Sequence, residues 1–369
     1  MRIRLKPLAE QVLVITGASS GIGRTTARMA AARGARVVLA ARDRRALADA
    51  VAECKRAGRK RGGEAVAVRC DVSVERDVER LARAAERAFG GVDTWVNNAG
   101  TSIYGRLDAV PIDDLRQLMD VNFWGVVYGS RAAVPLLAER GGGALVNVGS
   151  VLSDRAIPLQ GMYSATKHAV KGFTDALRME VEEAGLPVSV SLVKPASIAT
   201  PFYDVARNYM ERRPKPVPPV YAPEVAARAI LACAVRPTRD LYAGGAARAL
   251  AASGRVAPRL TDRAMERTLF AAQQADEKPR QRRGNLDDAL DHAAERGRWA
   301  KRGHVVEHSP YTAASGAGTG RLLAGLMAAG VGVALAAGLR GRFGRDVEAD
   351  DELGADTTTN AAGAGARDA

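Results

Sequence analysis

The sequence predicts an α/β fold in which a doubly wound parallel sheet carries helices on both faces. Between Val12 and about Gly245, short apolar runs alternate with helical stretches. The short runs are rich in β-forming residues and lack the 3.6-residue period of a helix, as expected for strands buried on both faces. Strands that alternate with helices are typical of right-handed crossover connections, and therefore of parallel strands.

Seven runs in this region are expected to be strands, because each is short, apolar and rich in β-forming residues. They are residues 12–16, 35–41, 64–70, 92–98, 143–149, 187–194 and 240–244. The stretches between them have the residue spacing of amphipathic helices. They are residues 22–33, 44–58, 74–89, 112–139, 160–184 and 223–235. Residues 1–245 are therefore expected to form one domain.

The alternation stops after residue 245, where a mainly helical and then irregular extension is expected. Residues 246–275 have a helical pattern, with Gly254 and Pro258 between two short helices. The sequence from 276 to 320 is charged, contains glycine and has no clear period, which indicates an irregular extension or linker.

The last part of the chain divides at residue 342. Residues 321–342 include an uncharged run, Leu322–Leu339, whose 18 residues would form a helix of about 27 Å. That length is enough for a membrane anchor, but a helix packed on the protein or on a second subunit would have the same pattern. Residues 343–369 are acidic and then rich in Thr, Ala and Gly, so we expect disorder there.

Composition excludes several classes of protein. The 369 residues are 47% hydrophobic and 26% charged, which is ordinary for a globular protein and excludes wholesale disorder, collagen and a polytopic membrane protein. The basic N-terminus lacks the apolar core of a secretory signal, so we expect a cytoplasmic protein, with membrane association through 322–339 as the alternative. The three cysteines lack CxxC spacing, which excludes a disulfide framework.

The net charge of +13 invites a nucleic-acid interpretation, but its distribution does not favour one. Of the 54 basic residues only 9 are Lys, and the Arg residues are spread along the chain with few aromatics between them. A solvated basic surface is the better interpretation. His304 and His308 have a metal-like spacing, but no acidic or cysteine set accompanies them, so no metal site is predicted.

A glycine-rich loop, TGASSGIGR at residues 16–24, follows the first strand and opens the first helix. Gly17, Gly21 and Gly23 have the spacing GxxxGxG. Glycine lets the backbone turn sharply and approach a pyrophosphate, and the following helix presents N–H groups to its charge. The loop resembles the cofactor loop of the short-chain dehydrogenase/reductase family, whose fold is of the Rossmann type.

The end of the second strand bears on the choice of cofactor. Enzymes that use NAD often place an acidic residue there, whereas those that use NADP place Arg near the 2′-phosphate. Arg42 follows Ala41, with Arg44 close by, and a guanidinium binds phosphate well. The sequence therefore favours NADP (NADPH), with NAD as the alternative and Asp43 as the rival ribose ligand.

Two further strand ends match the family. Asp71 follows the third strand, where the resemblance implies a contact with the adenine, although Asp71 or Ser73 could instead cap the next helix. The fourth strand ends in NNAG, residues 97–100, which in the family stabilises the edge of the sheet and lines the cofactor.

Tyr163 and Lys167 carry the strongest chemical signal. Residues four apart share one face of a helix, so the phenol and the ammonium project side by side. A neighbouring Lys⁺ favours phenolate and is expected to lower the pKa of the tyrosine, which could then exchange a proton with a carbonyl or an alcohol.

Ser150 and Asn122 complete the catalytic set that the resemblance implies. Ser150 lies 13 residues before Tyr163 and would hydrogen-bond the substrate oxygen, with Ser153 as a nearby competitor. Asn122 would hold a water that links Lys167 to solvent.

The sixth strand ends in KPASIATP, residues 194–201, where the family usually has Gly in place of Ala196. Residues 201–221 are expected to form a substrate lid. Aromatic and Met residues of this lid could line an apolar pocket or simply pack in the core: Phe202, Tyr203, Tyr209 and Met210.

The resemblance covers residues 8–245 and implies an NAD(P)-dependent oxidoreductase that interconverts a carbonyl and an alcohol. Its substrate would be a small molecule, and a lipophilic one if residues 322–339 anchor the protein to a membrane. A homo-oligomer through 112–139 and 160–184 is expected. A non-catalytic dinucleotide sensor or scaffold is the alternative. The implied cofactor-binding residues are Gly17, Ser19, Ser20, Gly21, Ile22, Gly23, Arg42, Asp71, Val72, Asn98, Ala99, Gly100, Tyr163, Lys167, Pro195, Ile198 and Thr200.

Overall fold

The computed structural model describes residues 3–279, 284–289, 294–301 and 303–317. The strands are β1 (Val12–Thr16), β2 (Arg36–Ala41), β3 (Glu64–Arg69), β4 (Thr94–Asn97), β5 (Ile103–Tyr104), β6 (Gly143–Val148), β7 (Val188–Pro195), β8 (Ser197–Ile198), β9 (Arg207–Asn208), β10 (Val220–Tyr221), β11 (Asp240–Ala243) and β12 (Val305–Val306). The helices are α1 (Gly21–Ala31), α2 (Arg44–Gly58), α3 (Glu75–Phe89), α4 (Ile112–Met119), α5 (Gly125–Glu139), α6 (Gly161–Glu183), α7 (Phe202–Val205), α8 (Pro223–Val235), α9 (Gly245–Val256), α10 (Pro258–Ala272) and α11 (Pro310–Gly316).

The central sheet contains seven parallel strands in the order β11-β7-β6-β4-β1-β2-β3. In β1, Val14 pairs with Val38 of β2 on one side and with Trp95 of β4 on the other. The seven strands predicted from the sequence are these seven, and the predicted doubly wound fold is confirmed. The chain runs outward from β1 to β3 and then returns to β4. The order therefore reverses between β1 and β4, where open α/β sheets bind their ligands.

Both faces of the sheet are covered, which explains why its strands are apolar throughout. Successive side chains of a strand point to opposite faces. Leu13 belongs to the same core as Ile230 of α8, whereas Val14 belongs to the core on the other face with Leu81 of α3. All five residues of β1 are buried. The two cores therefore fix the positions of the strand ends on which the site is built.

The helix expected over residues 112–139 is interrupted. Between α4 and α5 the five residues Asp120–Trp124 form one turn of π-helix. Such a turn inserts an extra residue into the helical ladder and often occurs at functional sites. Asn122, one of the predicted catalytic residues, lies in this turn and is fully buried.

The extension packs back onto the sheet in ways that its sequence did not predict. Pro258 begins α10, as expected, but Gly254 lies inside α9 rather than between two helices. A Cβ at Gly254 would stand 2.7 Å from Cδ of Arg155, so this position accommodates a neighbouring side chain. Further along, β12 pairs in parallel with β10, which itself pairs with β8.

The apolar run Leu322–Leu339 and the tail 343–369 lie outside the described residues. Among the helices of the described ranges, none combines the length and the apolar character needed to cross a bilayer.

Candidate active site

The glycines of residues 16–24 allow the loop to pack against the end of β4. Gly17 has a positive φ of 65°, and a Cβ there would stand 2.8 Å from Cα of Ala99. A Cβ at Gly23 would clash with the carbonyl oxygen of Gly17. A side chain at either position would push the loop away from the place between β1 and β4 where the strand order reverses. The glycines therefore let the loop backbone pack directly on the end of β4, as the close backbone approach of a dinucleotide loop would require.

The start of α1 makes contacts within the loop and with the extension. Ser20 occupies the N-cap position, but its side chain makes no capping hydrogen bond. The backbone N–H of Gly21 donates instead to the carbonyl oxygen of Ala294, 3.0 Å away in the extension. Ser19 and Ile22 contribute their carbonyl oxygens to local contacts, with Arg24 and with the hydroxyl of Thr26.

The NNAG residues hold the loop in place. The side-chain amide of Asn98 donates to the carbonyl oxygen of Thr16 at 2.9 Å. In return, Oγ1 of Thr16 accepts hydrogen bonds from the backbone N–H groups of Asn98 and Ala99, at 3.0 and 3.1 Å. Asn97 is instead buried inside the sheet, where its amide donates to Oδ1 of Asn147 at 2.9 Å. The prediction that this motif stabilises the sheet edge fits these bonds.

At the end of β2, the side chains of Arg42 and Asp43 have different hydrogen-bond partners. Asp43 caps α2, because its Oδ1 accepts from the backbone N–H of Arg45 at 2.8 Å and from that of Ala46 at 3.1 Å. Arg42 is half-buried and donates to backbone carbonyl oxygens of the extension, among them Leu286 at 3.1 Å. The rival ribose ligand is therefore committed to a helix cap.

Asp71 stabilises the turn after β3. Its Oδ1 accepts from the backbone N–H of Ser73 at 3.0 Å and from its hydroxyl at 2.7 Å. Neither residue caps α3, since that helix begins at Glu75 and its N-cap is Val74. Val72, the next residue after Asp71, is buried beneath the start of α5, where its side chain would contact a Cβ at Gly125.

Tyr163 and Lys167 lie side by side on α6, and both are buried. The Nζ atom of Lys167 is 5.8 Å from the centroid of the Tyr163 ring. It donates a hydrogen bond of 2.9 Å to the carbonyl oxygen of Val148, at the end of β6. The helical spacing read from the sequence therefore brings the two groups together as predicted.

The protonation of Tyr163 differs from the sequence expectation. Burial raises the pKa of its phenol far above the ordinary value, and a hydrogen bond with Ser150 only partly offsets this. Burial also lowers the pKa of Lys167 to about 8. Desolvation is the largest cause of both shifts, so the lowered pKa that the sequence predicted for Tyr163 beside Lys167 was wrong. The phenol is neutral at physiological pH and can donate a proton.

Ser150 lies beside Tyr163, whereas the hydroxyl of Ser153 is used inside the turn that follows β6. The hydroxyl of Ser153 accepts from the backbone N–H of Ser150 at 3.1 Å, while Oγ of Ser150 accepts from the N–H of Leu152 at 3.1 Å. This reciprocal cap fixes the short turn after β6. The Ser150 hydroxyl is thereby held beside the phenol of Tyr163.

Asn122 approaches Lys167 from the π-helical turn. Its Oδ1 accepts from the backbone N–H of Thr101 at 2.9 Å, and its Nδ2 donates to the carbonyl oxygen of Thr101 at 2.9 Å and to Oγ1 of Thr166 at 3.1 Å. A Cβ at Gly100 would stand 3.2 Å from Oδ1 of Asn122 and 3.7 Å from Nζ of Lys167. The asparagine and the lysine therefore both border Gly100.

The segment after β7 closes the other side of the crevice. The Cβ and Cγ2 atoms of Thr200 lie next to the glycine-rich loop of residues 16–24, which we name the phosphate loop. They are 3.1 and 3.2 Å from the position that a Cβ at Gly21 would occupy. The backbone N–H of Thr200 donates to the carbonyl oxygen of Ile198 at 2.8 Å, and Pro195 ends β7. Ala196 does not have a positive φ, so its side chain fits where the family usually has Gly.

The lid residues divide between two apolar clusters. Phe202 and Tyr209 pack on the cluster that contains Tyr163, and the rings of Phe202 and Tyr163 meet edge to face at 5.6 Å. Tyr203 and Met210 belong to the neighbouring cluster. All four side chains therefore pack in apolar clusters, and their role in lining a substrate pocket stays a prediction.

The sequence did not reveal that the extension enters the site. Leu286 is buried in the cluster of Tyr163, and Asn285 contacts Thr101 through its side chain. Ala294 contacts Gly21. Residues 276–320 have no periodicity that would have marked these positions. In the described ranges, no group of three His, Cys, Asp or Glu residues is arranged to hold a metal ion.

Comparison with known proteins identifies the family to which this chain belongs. The model of the short chain dehydrogenase family matches residues 11–210, which are more than half of the chain. YxnA of Bacillus subtilis, an uncharacterized oxidoreductase, is 46% identical over 277 residues, 74% of this chain and 77% of the relative. The chain therefore belongs to the short-chain dehydrogenase family.

Other similar proteins have named activities. An 11-beta-hydroxysteroid dehydrogenase A of Sesamum indicum is 36% identical over 63% of this chain and 68% of the relative. A solved alcohol dehydrogenase of the archaeon Thermococcus sibiricus, complexed with 5-hydroxy-NADP, is 28% identical over 63% of this chain and 95% of its own, with a TM-score of 0.55. Levodione reductase is 30% identical over 55% of this chain and 75% of its own, with a TM-score of 0.50.

This chain is an NAD(P)-dependent oxidoreductase that interconverts a carbonyl and an alcohol. Its substrate is a small molecule.

Proposed function

We propose that Tyr163 is the general acid and base of this oxidoreductase, with Ser150 positioning the substrate oxygen beside it. The observation that carries the proposal is the position of the side chains: Tyr163 is buried beside Lys167 on α6, and the hydroxyl of Ser150, in the turn after β6, lies near enough to offset part of the rise in the pKa of the phenol. A substrate oxygen that accepts from both hydroxyls would be polarised, and Tyr163 would give it a proton. When bound, a reduced nicotinamide supplies the hydride.

Lys167 and Asn122 are proposed to support the transfer of that proton. Both border Gly100, and Lys167 has a pKa of about 8, so its ammonium can lose and regain a proton near physiological pH. Asn122 fixes the backbone of Thr101 through two hydrogen bonds. Because the phenol of Tyr163 is neutral, it holds the proton that carbonyl reduction requires.

The cofactor is proposed to lie across the ends of β1, β2, β3 and β4. The loop from Gly17 to Gly23, with Ser19, Ser20, Gly21 and Ile22, would hold the pyrophosphate. The residues that would line the rest of the crevice are Asp71, Val72, Asn98, Ala99, Gly100, Pro195, Ile198 and Thr200.

NADP is the proposed cofactor, and Arg42 is its proposed selector. Asp43 caps a helix, whereas the guanidinium of Arg42 stands at the end of β2. In the similar alcohol dehydrogenase the bound molecule is a derivative of NADP. A phosphate on the ribose would accept charge-assisted hydrogen bonds from Arg42.

Arg42→Ala is expected to weaken NADPH binding about 10- to 100-fold, because hydrogen bonds to charged groups contribute about 1.5–3 kcal/mol. NADH binding should not weaken, since NADH has no 2′-phosphate. Titration with each cofactor, followed by nicotinamide fluorescence, measures both affinities. Arg44→Ala is the matched control, because Arg44 is exposed and close by. Equal losses for NADPH and NADH would remove Arg42 from this role.

The substrate is proposed to be lipophilic. The phenol of Tyr163 is surrounded by apolar side chains, including Leu152, Phe202 and Leu286. One relative is named for a hydroxysteroid, which is a substrate of this character. A panel of carbonyl compounds of increasing apolar size, assayed with NADPH, tests both the reaction and this preference. Turnover confined to small polar carbonyls would contradict it.

Membrane association through residues 322–339 and assembly into a homo-oligomer also remain proposals. Exposed apolar side chains on the two helical stretches expected at the subunit interface favour assembly: Ile112, Trp124 and Met179. Truncation after residue 320 should move the protein from the membrane fraction to the supernatant without changing the number of subunits per oligomer, which light scattering measures. If both forms fractionate alike, the anchor is rejected.

A further inference from the structure

Two pieces of the extension lie across the crevice in which the cofactor is proposed to bind. The first is residues 284–288, and the second is residues 294–297; together we name them the cleft strap. Each piece contacts both walls of the crevice. One wall is the phosphate loop, α1 and the end of β2, and the other is the lid after β7.

The first piece is bound to Arg42. Residues 285–288 form a turn whose carbonyl oxygens converge on the guanidinium of this residue. Those of Leu286 and Asp287 accept hydrogen bonds of 3.1 and 3.0 Å, and that of Asn285 also accepts one. The donors proposed to select the 2′-phosphate are therefore occupied by the protein's own backbone.

The first piece is fixed to the lid as well. The backbone N–H of Asn285 donates to the carbonyl oxygen of Val205 at 2.8 Å. The buried guanidinium of Arg207 pairs with the carboxylate of Asp287 and with that of Asp114. Gly284 lies so close to Arg207 that a Cβ would clash with its backbone nitrogen. Leu286 fills a buried position in the cluster of Tyr163.

The second piece is bound to the phosphate loop. The carbonyl oxygen of Ala294 accepts from the backbone N–H of Gly21 at 3.0 Å. Glu295 forms a two-pronged ion pair with Arg28 of α1, with distances of 2.6 and 2.8 Å. On the lid side, the backbone N–H of Gly297 donates to the carbonyl oxygen of Ala199 at 3.0 Å.

These contacts use the same donors that the cofactor would need. Each N–H group of Gly21 and Arg42 that donates to a strap carbonyl must release it before it can donate to a phosphate oxygen. The ion pairs of Asp287 with Arg207 and of Glu295 with Arg28 hold the strap in this place, so weakening either pair should favour its displacement. Carbonyl oxygen is the weaker acceptor for a guanidinium, because a phosphate adds charge to the hydrogen bond.

We propose that the cleft strap is an autoinhibitory segment that competes with NADPH and is displaced when NADPH binds. The proposal rests on the proposed function, because it takes Arg42 and Gly21 as cofactor contacts. The apparent affinity for the cofactor is reduced by the fraction of molecules in which the strap is closed. Displacing the first piece also removes Leu286 from beside Tyr163, so cofactor binding and access of the substrate are coupled.

Hydrogen exchange of the full-length wild-type protein tests the displacement directly. The amides of Asn285 and Gly297 donate to carbonyl oxygens of the lid, and their exchange reports whether the strap is closed. Saturating NADPH should make peptides that cover 284–288 and 294–297 exchange faster. NADH, which lacks the phosphate that competes for Arg42, should have a smaller effect on the first piece. Unchanged or slower exchange with NADPH would overturn the proposal.

Two variants of the full chain test the competition in equilibrium binding. Glu295→Gln weakens the ion pair with Arg28, and Asp287→Asn weakens the pair with Arg207; neither changes a cofactor-binding residue. Each should tighten NADPH binding about threefold to tenfold, measured by nicotinamide fluorescence. Asp276→Asn is the matched control, because it removes an exposed carboxylate of the extension that pairs with Arg212 away from the crevice.

The outcomes separate this proposal from the proposed function. If the wild type binds NADPH and both variants bind it equally or more weakly, the strap is not a competitor, but the oxidoreductase site stands. If folded wild type and variants bind neither NADPH nor NADH, the assignment of the crevice fails and the autoinhibitory role falls with it.

Discussion

Replacing Tyr163 by Phe is expected to lower kcat for carbonyl reduction by about 10²–10⁴, the usual contribution of a general acid. The ring would still fill its place beside Phe202, since the two rings meet edge to face at 5.6 Å. Only the hydroxyl that faces Ser150 would be lost. Steady-state kinetics with NADPH and the best carbonyl of the panel measure the loss.

The affinity for NADPH should stay within about threefold of the wild type, because the phosphate loop and Arg42 are untouched by the loss of one hydroxyl. Tyr104→Phe is the control, since Tyr104 is also a fully buried tyrosine but belongs to the neighbouring cluster. A Tyr163→Phe enzyme that keeps more than about a tenth of its turnover would show that another group supplies the proton.

Lys167→Met is expected to abolish most activity and yet to stabilise the protein at pH 7. Burial lowers the pKa of Lys167 from 10.5 to about 8, so the charged form costs about 3 kcal/mol of folding free energy. Methionine removes that cost, although the carbonyl of Val148 loses its partner at about 1–2 kcal/mol. The melting temperature should rise by about 2–4 °C.

The pH dependence of this stabilisation has a definite sign. Below pH 8, Lys167 is charged in both the folded and the unfolded wild type, and the whole cost of burial is present. Between pH 8 and 10.5 the folded protein loses the proton while the unfolded chain keeps it, so the stability of the wild type increases relative to the variant. The difference in melting temperature should therefore shrink between pH 7 and pH 9.5.

Lys171→Met provides the comparison, because Lys171 lies one turn along the same helix and pairs with Asp175 at 3.1 Å in a partly exposed position. This variant should be neutral or slightly destabilised, without the same pH dependence. If Lys167→Met proves less stable than the wild type at pH 7, the buried ammonium is not a cost to the fold, and its hydrogen bond to Val148 outweighs desolvation.

The sequence predicted the sheet, and the proximity of Tyr163 and Lys167, because both depend on short-range patterns. Strands buried on both faces are recognisable as apolar runs, and Tyr163 and Lys167 share a helix face by their spacing alone. The π-helical turn at Asn122 was not predictable in this way, since its one extra residue leaves the apolar pattern of 112–139 nearly unchanged. The residue was found only through the family resemblance.

Two other features depend on contacts that no local pattern encodes. The direction of the pKa shift of Tyr163 follows from how deeply its side chain is buried. The contact of Arg42 with Leu286 joins residues 244 positions apart in a segment without periodicity. Such a contact is set by tertiary packing, which propensity and spacing do not report.

The pairing of β12 with β10 makes the extension part of the cooperative unit that unfolds with the catalytic site. The carbonyl oxygen of Val306 accepts from the backbone N–H of Ala222 at 3.1 Å. The hydroxyl of Thr312 accepts from the backbone N–H of Gly244 at 2.9 Å. Ending the chain at residue 245 would strip both donors of their partners and expose the edge of β10 that β12 covers. An expression boundary placed after residue 317 keeps this edge covered, whereas one drawn from the limits of the family match would invite aggregation.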